Sequence, residues 1–169
     1  VEPQSFEQQI GLRGKKVTYA GVRFRRMKPP GWAAKQLSLP KDSEAYLLDR
    51  VRLIDGRPVG SEVRYIPLSL GRKVTQRMLE EESALKMLTS VHDRPIPVIE
   101  VMMTAVSAGK ALAERLGVKP GSAIMVRDNV FRDESGRVVQ CGTSYFRGDV
   151  QIEYVLGVLP TAIPVRSAG

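Results

Sequence analysis

The chain has 169 residues, 43% hydrophobic and 26% charged, with 26 Lys and Arg against 18 Asp and Glu. That size and apolar content point to one domain with a packed core and exclude general disorder. The net charge of +8 and the pI near 9.9 bias its partners toward anions: phosphate, carboxylate, nucleic acid or an anionic lipid surface.

In chain order, Ser5-Phe6-Glu7-Gln8 is a capping-box pattern that opens a short helix ended by Gly11 or Gly14. Val17 to Met27 alternates as a strand, and its basic cluster, Arg23, Arg25 and Arg26 followed by Lys28, reads as a solvated strand edge. Pro29-Pro30-Gly31 breaks that strand, and Trp32 to Leu37 forms a turn or two of helix, its Trp read as core. Ala45 to Pro67 gives two strands about an Asp-Gly turn. Apolar spacing from Lys73 to Val91 predicts a helix interrupted near Glu80-Glu81-Glu82, with Ser83 capping a second helix that runs to His92. Val98 to Val106 reads as a strand, and Ser107 caps a helix over Ala108 to Leu116 that Gly117 ends. A second hairpin covers residues 122–149, and the residues after Gly157 look like a loose tail. Antiparallel strands with helices between them make an α+β class.

The first hairpin carries Arg50, Arg52, Glu62 and Arg64 inside its strands. Buried without a partner, each charge would cost several kcal/mol, so the group either faces water or serves a ligand. Strand alternation puts Arg50 and Arg52 on one face. A three-residue loop, Asp55-Gly56-Arg57, sets Arg50 opposite Glu62 and gathers the charges into one spot. A two-residue turn shifts the register by one and sends Glu62 to the other face.

No HExxH, CxxC, GxSxG or Walker pattern occurs, so no metal, cofactor or hydrolase chemistry is expected. His92 reads as a solvent-exposed helix C-terminal histidine, and the acidic run at Glu80 as a helix-end charge run. The single cysteine, Cys141, rules out an internal disulfide, reads as a packed thiol in mid-strand and fits a reducing, cytoplasmic setting. No apolar run approaches the ~20 residues needed to span a bilayer, so no membrane partner is expected.

The order GLRGKK, a strand, AYLLDRVRLIDGRPVGSEVRYIP, SALKML, LGVKPGSAIMVRDNVFRDESGRVV and SYFRGD resembles the UTRA domain, from about Ser5 to Asp149. UTRA is the effector-binding domain of the HutC-type branch of GntR-family transcription regulators. The resemblance implies a chorismate-lyase-like fold, an antiparallel sheet with helices packed against it and the ligand held at the sheet. It also implies a homodimer and a small effector, a sugar phosphate or a carboxylate metabolite, whose binding changes DNA affinity.

By the same resemblance, the effector-contacting pair of arginines and glutamate fall on Arg50, Arg52 and Glu62. Further ligand-binding positions fall on Ser83, Gln140, Tyr145 and Phe146, with departures. The Ser-x-Tyr at the helix start is Ser83-Ala84-Leu85, the acidic residue of the last hairpin is Gln140, and the aromatic hydroxyl before Arg-Gly-Asp is Phe146 with Tyr145 beside it. Those losses remove groups that would read sugar hydroxyls and point to a less hydroxylated anion.

A ligand-binding domain over residues 1–157 and a tail over 158–169 are expected. The family's winged helix-turn-helix has no counterpart before Ser5, and the missing initiator Met suggests an excised domain, with DNA reached only through that absent part. The alternative is a chorismate-lyase-like enzyme acting on an anionic carboxylate.

Overall fold

The computed structural model describes residues 5–154. The expected 157/158 boundary and tail lie outside them. Helix α1 (Phe6–Leu12) opens on the expected capping box: Ser5 Oγ accepts from the Gln8 amide, and Gln8 Oε1 accepts from the Ser5 amide at 2.6 Å. Then come β1 (Val17–Met27), α2 (Gly31–Gln36), the hairpin β2 (Ala45–Ile54) and β3 (Arg57–Pro67), and three short helices, α3 (Leu68–Gly71), α4 (Gln76–Glu81) and α5 (Ala84–Val91). Strand β4 (Val98–Ser107), helix α6 (Lys110–Leu116) and the hairpin β5 (Ala123–Arg132) and β6 (Val138–Arg147) complete the order. The strands form one antiparallel sheet in the order β1-β2-β3-β6-β5-β4, which realises the α+β expectation.

Of the two loops open to the first hairpin, the shorter is formed. Ile54 pairs with Arg57, so the turn is the two residues Asp55-Gly56, both at positive φ (50° and 74°) as a type I′ hairpin requires. By itself this turn would send Glu62 to the wrong face. Between the pairs Leu53–Pro58 and Arg52–Gly60, however, β3 carries one extra residue, Val59. That β-bulge restores the parity, and Arg50 does face Glu62.

The sheet buries both faces. One face carries Leu48, Ile66, Phe131 and Val139 beneath Leu70, Leu79, Met87 and Leu88 of α3, α4 and α5, and at its other end Phe146 and Val17 beneath Phe6 and Ile10 of α1. The opposite face packs against α2 through Ala33 and Leu37, and against α6 through Ala113 and Leu116. Cys141 belongs to that second face, wholly buried, and burial pushes its thiol up to about 12.

Three local expectations need correction. Trp32, the second residue of α2, is half exposed and meets Tyr65 edge-on, at 5.6 Å between ring centroids, while the buried residue of that helix is Ala33. His92 is not a solvent-exposed helix end: its Nε2 lies 3.1 Å from Asp133 Oδ2 in the β5–β6 turn, and the pair is largely buried. Hydrogen bonds from Ser135, with that His92 contact, hold the Asp133 carboxyl down to about 2. Ser107 does not cap α6, because it is still paired with Ala123 in the ladder; the cap is Gly109.

Strand β4 is mostly apolar, broken only by Glu100 and Thr104 before its terminal Ser107, a composition close to that of a strand covered on both faces. Yet it is an edge strand with nearly every residue exposed, Met102 at 67%. It holds most of the large exposed apolar side chains of the described residues: Val98, Val101, Met102, Met103 and Val106.

Candidate functional site

The register lays the polar residues of one sheet face out in rows. Tyr19, Arg52, Gly60, Phe146 and Met125 face one another across β1, β2, β3, β6 and β5. Arg50, Glu62, Ser144 and Arg127 form the next row, and Leu48, Arg64, Gly142 and Asn129 the one after. The glycines make this possible. A Cβ on Gly142 would stand 2.3 Å from the Val63 carbonyl oxygen and 3.0 Å from the Arg64 stem, so its absence lets the Arg64 side chain cross β6 toward Asn129. A Cβ on Gly60 would meet the Phe146 ring at 3.0 Å.

Glu62, wholly buried, is the centre of an arginine cluster. Its Oε1 accepts from Arg50 Nε at 2.6 Å, and its Oε2 accepts from Arg52 at 2.8 Å and from Arg64 Nε. Burial would raise its pKa, but Arg52, Arg64 and Arg50 hold it well below the usual carboxylate range. A second carboxylate, Glu7 from α1, accepts from Arg52 Nε at 3.0 Å and from the Tyr19 hydroxyl at 2.8 Å. Burial opposes its ionisation too, and Arg52 overcomes that and lowers its pKa. Burial and the nearby Glu7 push the Tyr19 phenol up, so it stays a hydrogen-bond donor.

The remaining donors are used within the protein. Arg50 donates to the carbonyls of Leu79 and Glu82 at 2.5 and 2.9 Å, and its guanidinium lies 3.5 Å over the Tyr19 ring. Those carbonyls end α4, where the helix leaves acceptors unsatisfied and favours a cation. Arg64 reaches Asn129 Oδ1 at 2.6 Å, which also accepts from Gln140 Nε2 at 2.9 Å. Ser144 Oγ accepts weakly from Arg64 and Arg52, at 3.3 and 3.5 Å.

Of the sequence-predicted site residues, Arg50, Arg52 and Glu62 meet in this cluster. Gln140 lines the same face, wholly buried, and its Oε1 has no hydrogen-bond partner among the described residues. Phe146 is buried there as well, with its ring 5.0 Å from Phe6 and 5.3 Å from the Arg52 guanidinium. Ser83 lies beside the cluster, but its hydroxyl caps α5, accepting from the Lys86 amide at 3.1 Å. Tyr145 is not brought to the site. It follows Ser144 on a pleated strand, so it points to the opposite face and packs with α6.

Sequence reasoning missed Tyr19, Asn129, Ser144, Arg127 and Glu7. The first four have the strand parity that faces the arginines, which was a usable signal; nothing near Glu7 in sequence indicates that α1 folds back over Arg52. Among the described residues, no group of three or more His, Cys, Asp or Glu is placed to hold a metal ion.

A buried arginine-rich face on an antiparallel sheet is chemistry for holding an oxyanion. The UTRA domain family model matches residues 12–151. The chain belongs to the UTRA family. This makes it a ligand-sensing domain of the kind that transcription regulators carry.

Over 69 residues, 41% of this chain, it is 38% identical to the HTH-type transcriptional regulator GgaR of Escherichia coli K12, and that match spans 28% of GgaR. Among solved structures, the effector domain of PhnF from Mycobacterium smegmatis superposes with a TM-score of 0.79 at 18% identity, over 93% of this chain and 99% of that one. A GntR-family transcriptional regulator from Enterococcus faecalis V583 gives 0.74 at 24% identity, over 82% and 99%. At such identities these two likenesses are of fold.

Proposed function

We propose that this UTRA domain senses a small anionic metabolite and relays its binding to a DNA-binding domain of a parent GntR-family regulator of the HutC branch. The observation that carries this reading is the polar sheet face, where the guanidiniums of Arg50, Arg52, Arg64 and Arg127 outnumber the carboxylates of Glu7 and Glu62. Excess positive charge held out of water is unfavourable until an anion compensates it. The wholly buried Gln140 oxygen offers an acceptor to a ligand donor, and Phe146 presents a ring where a hydroxyl is expected in sugar binders. Both favour a carboxylate or phosphate on a sparsely hydroxylated body.

The relay has a structural basis in α1, the first described element, whose Glu7 touches Arg52 directly. The likeness to GgaR, an HTH-type regulator, supports a DNA-binding partner domain. A homodimer joined through β4 accounts for its exposed apolar side chains. Among the described residues no helix is long and apolar enough to cross a membrane, and a transcription regulator works in the cytoplasm. Membership in a regulator family does not favour the lyase alternative.

Thermal unfolding of the chain against a panel of phosphate- and carboxylate-bearing metabolites tests the reading. A binder present at 100 times its Kd stabilises by about 2.7 kcal/mol, a clear rise in Tm. A panel in which no anion raises the Tm, together with pyruvate release from chorismate, would overturn it in favour of an enzyme.

A further inference from the structure

We infer that Glu7 is a built-in competitor for the effector's anionic group: its carboxylate holds the place on Arg52 that the effector takes, and its displacement is a step of binding. This rests on the reading that the polar sheet face holds an anionic effector, and it names the contact that breaks when the effector enters.

The arginines of the first hairpin are sealed from water. Arg50 is 0% exposed, Arg52 1% and Arg64 2%. An effector arriving from solvent therefore reaches a guanidinium only after a group above it has moved. The covering groups differ in how freely they can leave. Glu62 stands on β3 bound to all three arginines, and its departure would strand three buried charges. The carbonyls of Leu79 and Glu82 that hold Arg50 are backbone at the end of α4, and Leu79 is anchored in the core.

Glu7 is the cover that can turn away. It is a side chain of the seven-residue helix α1, 17% exposed where the Glu62 side chain is wholly buried. Among the described residues only its Oε1 is engaged, by Arg52 Nε at 3.0 Å and by the Tyr19 hydroxyl at 2.8 Å. Rotating this one carboxylate toward water frees both donors at a single point, while Phe6 and Ile10 keep α1 seated on the sheet. Burial opposes the charge of Glu7 and Arg52 restores it, so the position is already built for an anion. An oxyanion that replaces Glu7 conserves the charge balance at Arg52 and accepts from Tyr19 as Glu7 did. Carboxylate and phosphate share this chemistry.

A tethered anion of this kind sets a threshold. Its local concentration is high because it cannot diffuse away. The apparent affinity of the effector is reduced to the fraction of molecules in which Glu7 has turned out. The same exchange unties α1 from β2, so occupancy of the sheet face is felt in that helix.

Isothermal titration of the chain at constant ionic strength, with inorganic phosphate and with acetate, separates the two sources of an oxyanion, and the tighter probe is carried to the variants. Glu7→Gln leaves Arg52 a neutral, weaker partner and is expected to tighten binding at least threefold, where loss of a merely structural residue would weaken it. Glu7→Asp keeps the charge but draws it back by one methylene from Arg52 and Tyr19, and is also expected to tighten binding at least threefold. That variant separates displacement from simple relief of repulsion. Glu134→Gln, which removes an exposed carboxylate in the β5–β6 turn, is expected to leave binding within twofold. Tightening below threefold in Glu7→Gln, or tightening that Glu7→Asp does not share or that Glu134→Gln does, overturns the inference. Should Glu7→Gln fail to fold, Glu7→Asp decides alone. If the unaltered chain binds neither probe, binding by Glu7→Gln is the expected relief of competition and its absence overturns the inference. The sensing reading falls separately, only when the wider metabolite panel leaves the Tm unmoved.

Discussion

Arg50 and Glu62 face each other across β2 and β3, 2.6 Å apart from Nε to Oε1, because the bulged Val59 offsets a two-residue turn. The turn and the bulge are each local, but only their combination puts the charges on one face. Deleting Val59 moves every residue from Gly60 onward to the wrong side of β3, taking Ile66 out of the core under α3, α4 and α5 and turning Val63 in among the charges. The expected outcome is loss of cooperative unfolding in urea followed by circular dichroism. A deletion variant that unfolds like the parent would show that the bulge does not set the register.

Glu62 is also the residue on which the most buried charge depends. Glu62→Gln leaves Arg50, Arg52 and Arg64 without their shared counter-charge and is expected to cost about 3–5 kcal/mol, the range for breaking a buried ion pair. Glu7→Gln removes one partner of Arg52 at the better hydrated margin of the cluster, with 17% of its side chain exposed. Its cost is expected near 1–2 kcal/mol, as for a hydrogen bond to a charged group. Urea midpoints of the two variants give the ranking, and a reversed order would move the centre of the cluster to Glu7.

The same carboxylates give a pH dependence. Glu62 and Glu7 are both held below the ordinary value of 4.5, by arginines that outweigh burial. A depressed folded pKa means that the unfolded chain binds the proton first, so the stability from these groups is complete above about pH 4.5 and is lost as the pH falls through the folded values. Unfolding free energy should therefore fall steeply on acidification below that range, and Glu62→Gln should flatten the slope. A slope unchanged by that substitution would place the acid sensitivity elsewhere.

Gly142 is a smaller and sharper test of how the face is built. Alanine there places a methyl 2.3 Å from the Val63 carbonyl oxygen and against the Arg64 stem, and both are backbone or tightly held. Overpacking of this kind costs about 1–3 kcal/mol. Gly142→Ala is expected to lower the Tm and to weaken anion binding together, since Arg64 loses its path to Asn129. Stability lost without any change in binding would separate Arg64 from the ligand site.

The sheet was legible in the sequence because hairpin charges, turn residues and proline breaks are local signals. Ser5, Gly117 and the Asp55-Gly56 turn all act where their types indicate. The bulge was not legible, since Val59 differs in no way from a regular strand residue until its pairing is known. Tyr145 and Phe146 illustrate a constraint left unused: consecutive strand residues face opposite ways, so the arginine face could take only one of them. Glu7 and Arg52 lie far apart in the chain, and a contact fixed only by the docking of α1 leaves no trace in local pattern.

Strand β4 supplies the last test, of how two copies would meet. None of the 26 Lys and Arg falls within Val98–Ser107, so this edge is a place where a chain of net charge +8 can approach its own copy without repulsion. Among the described residues its outer backbone groups lack a strand partner, and Val101, Met102, Met103 and Val106 are exposed beside them. An antiparallel partner strand would satisfy those groups and cover the side chains. Replacing Met102 and Val106 with Asp puts repelling charges on that edge while touching no core cluster. The pair of substitutions is expected to shift the solution mass from dimer to monomer at micromolar concentration, with the Tm at high dilution little changed. A dimer that persists in this variant by sedimentation would assign the contact to another surface.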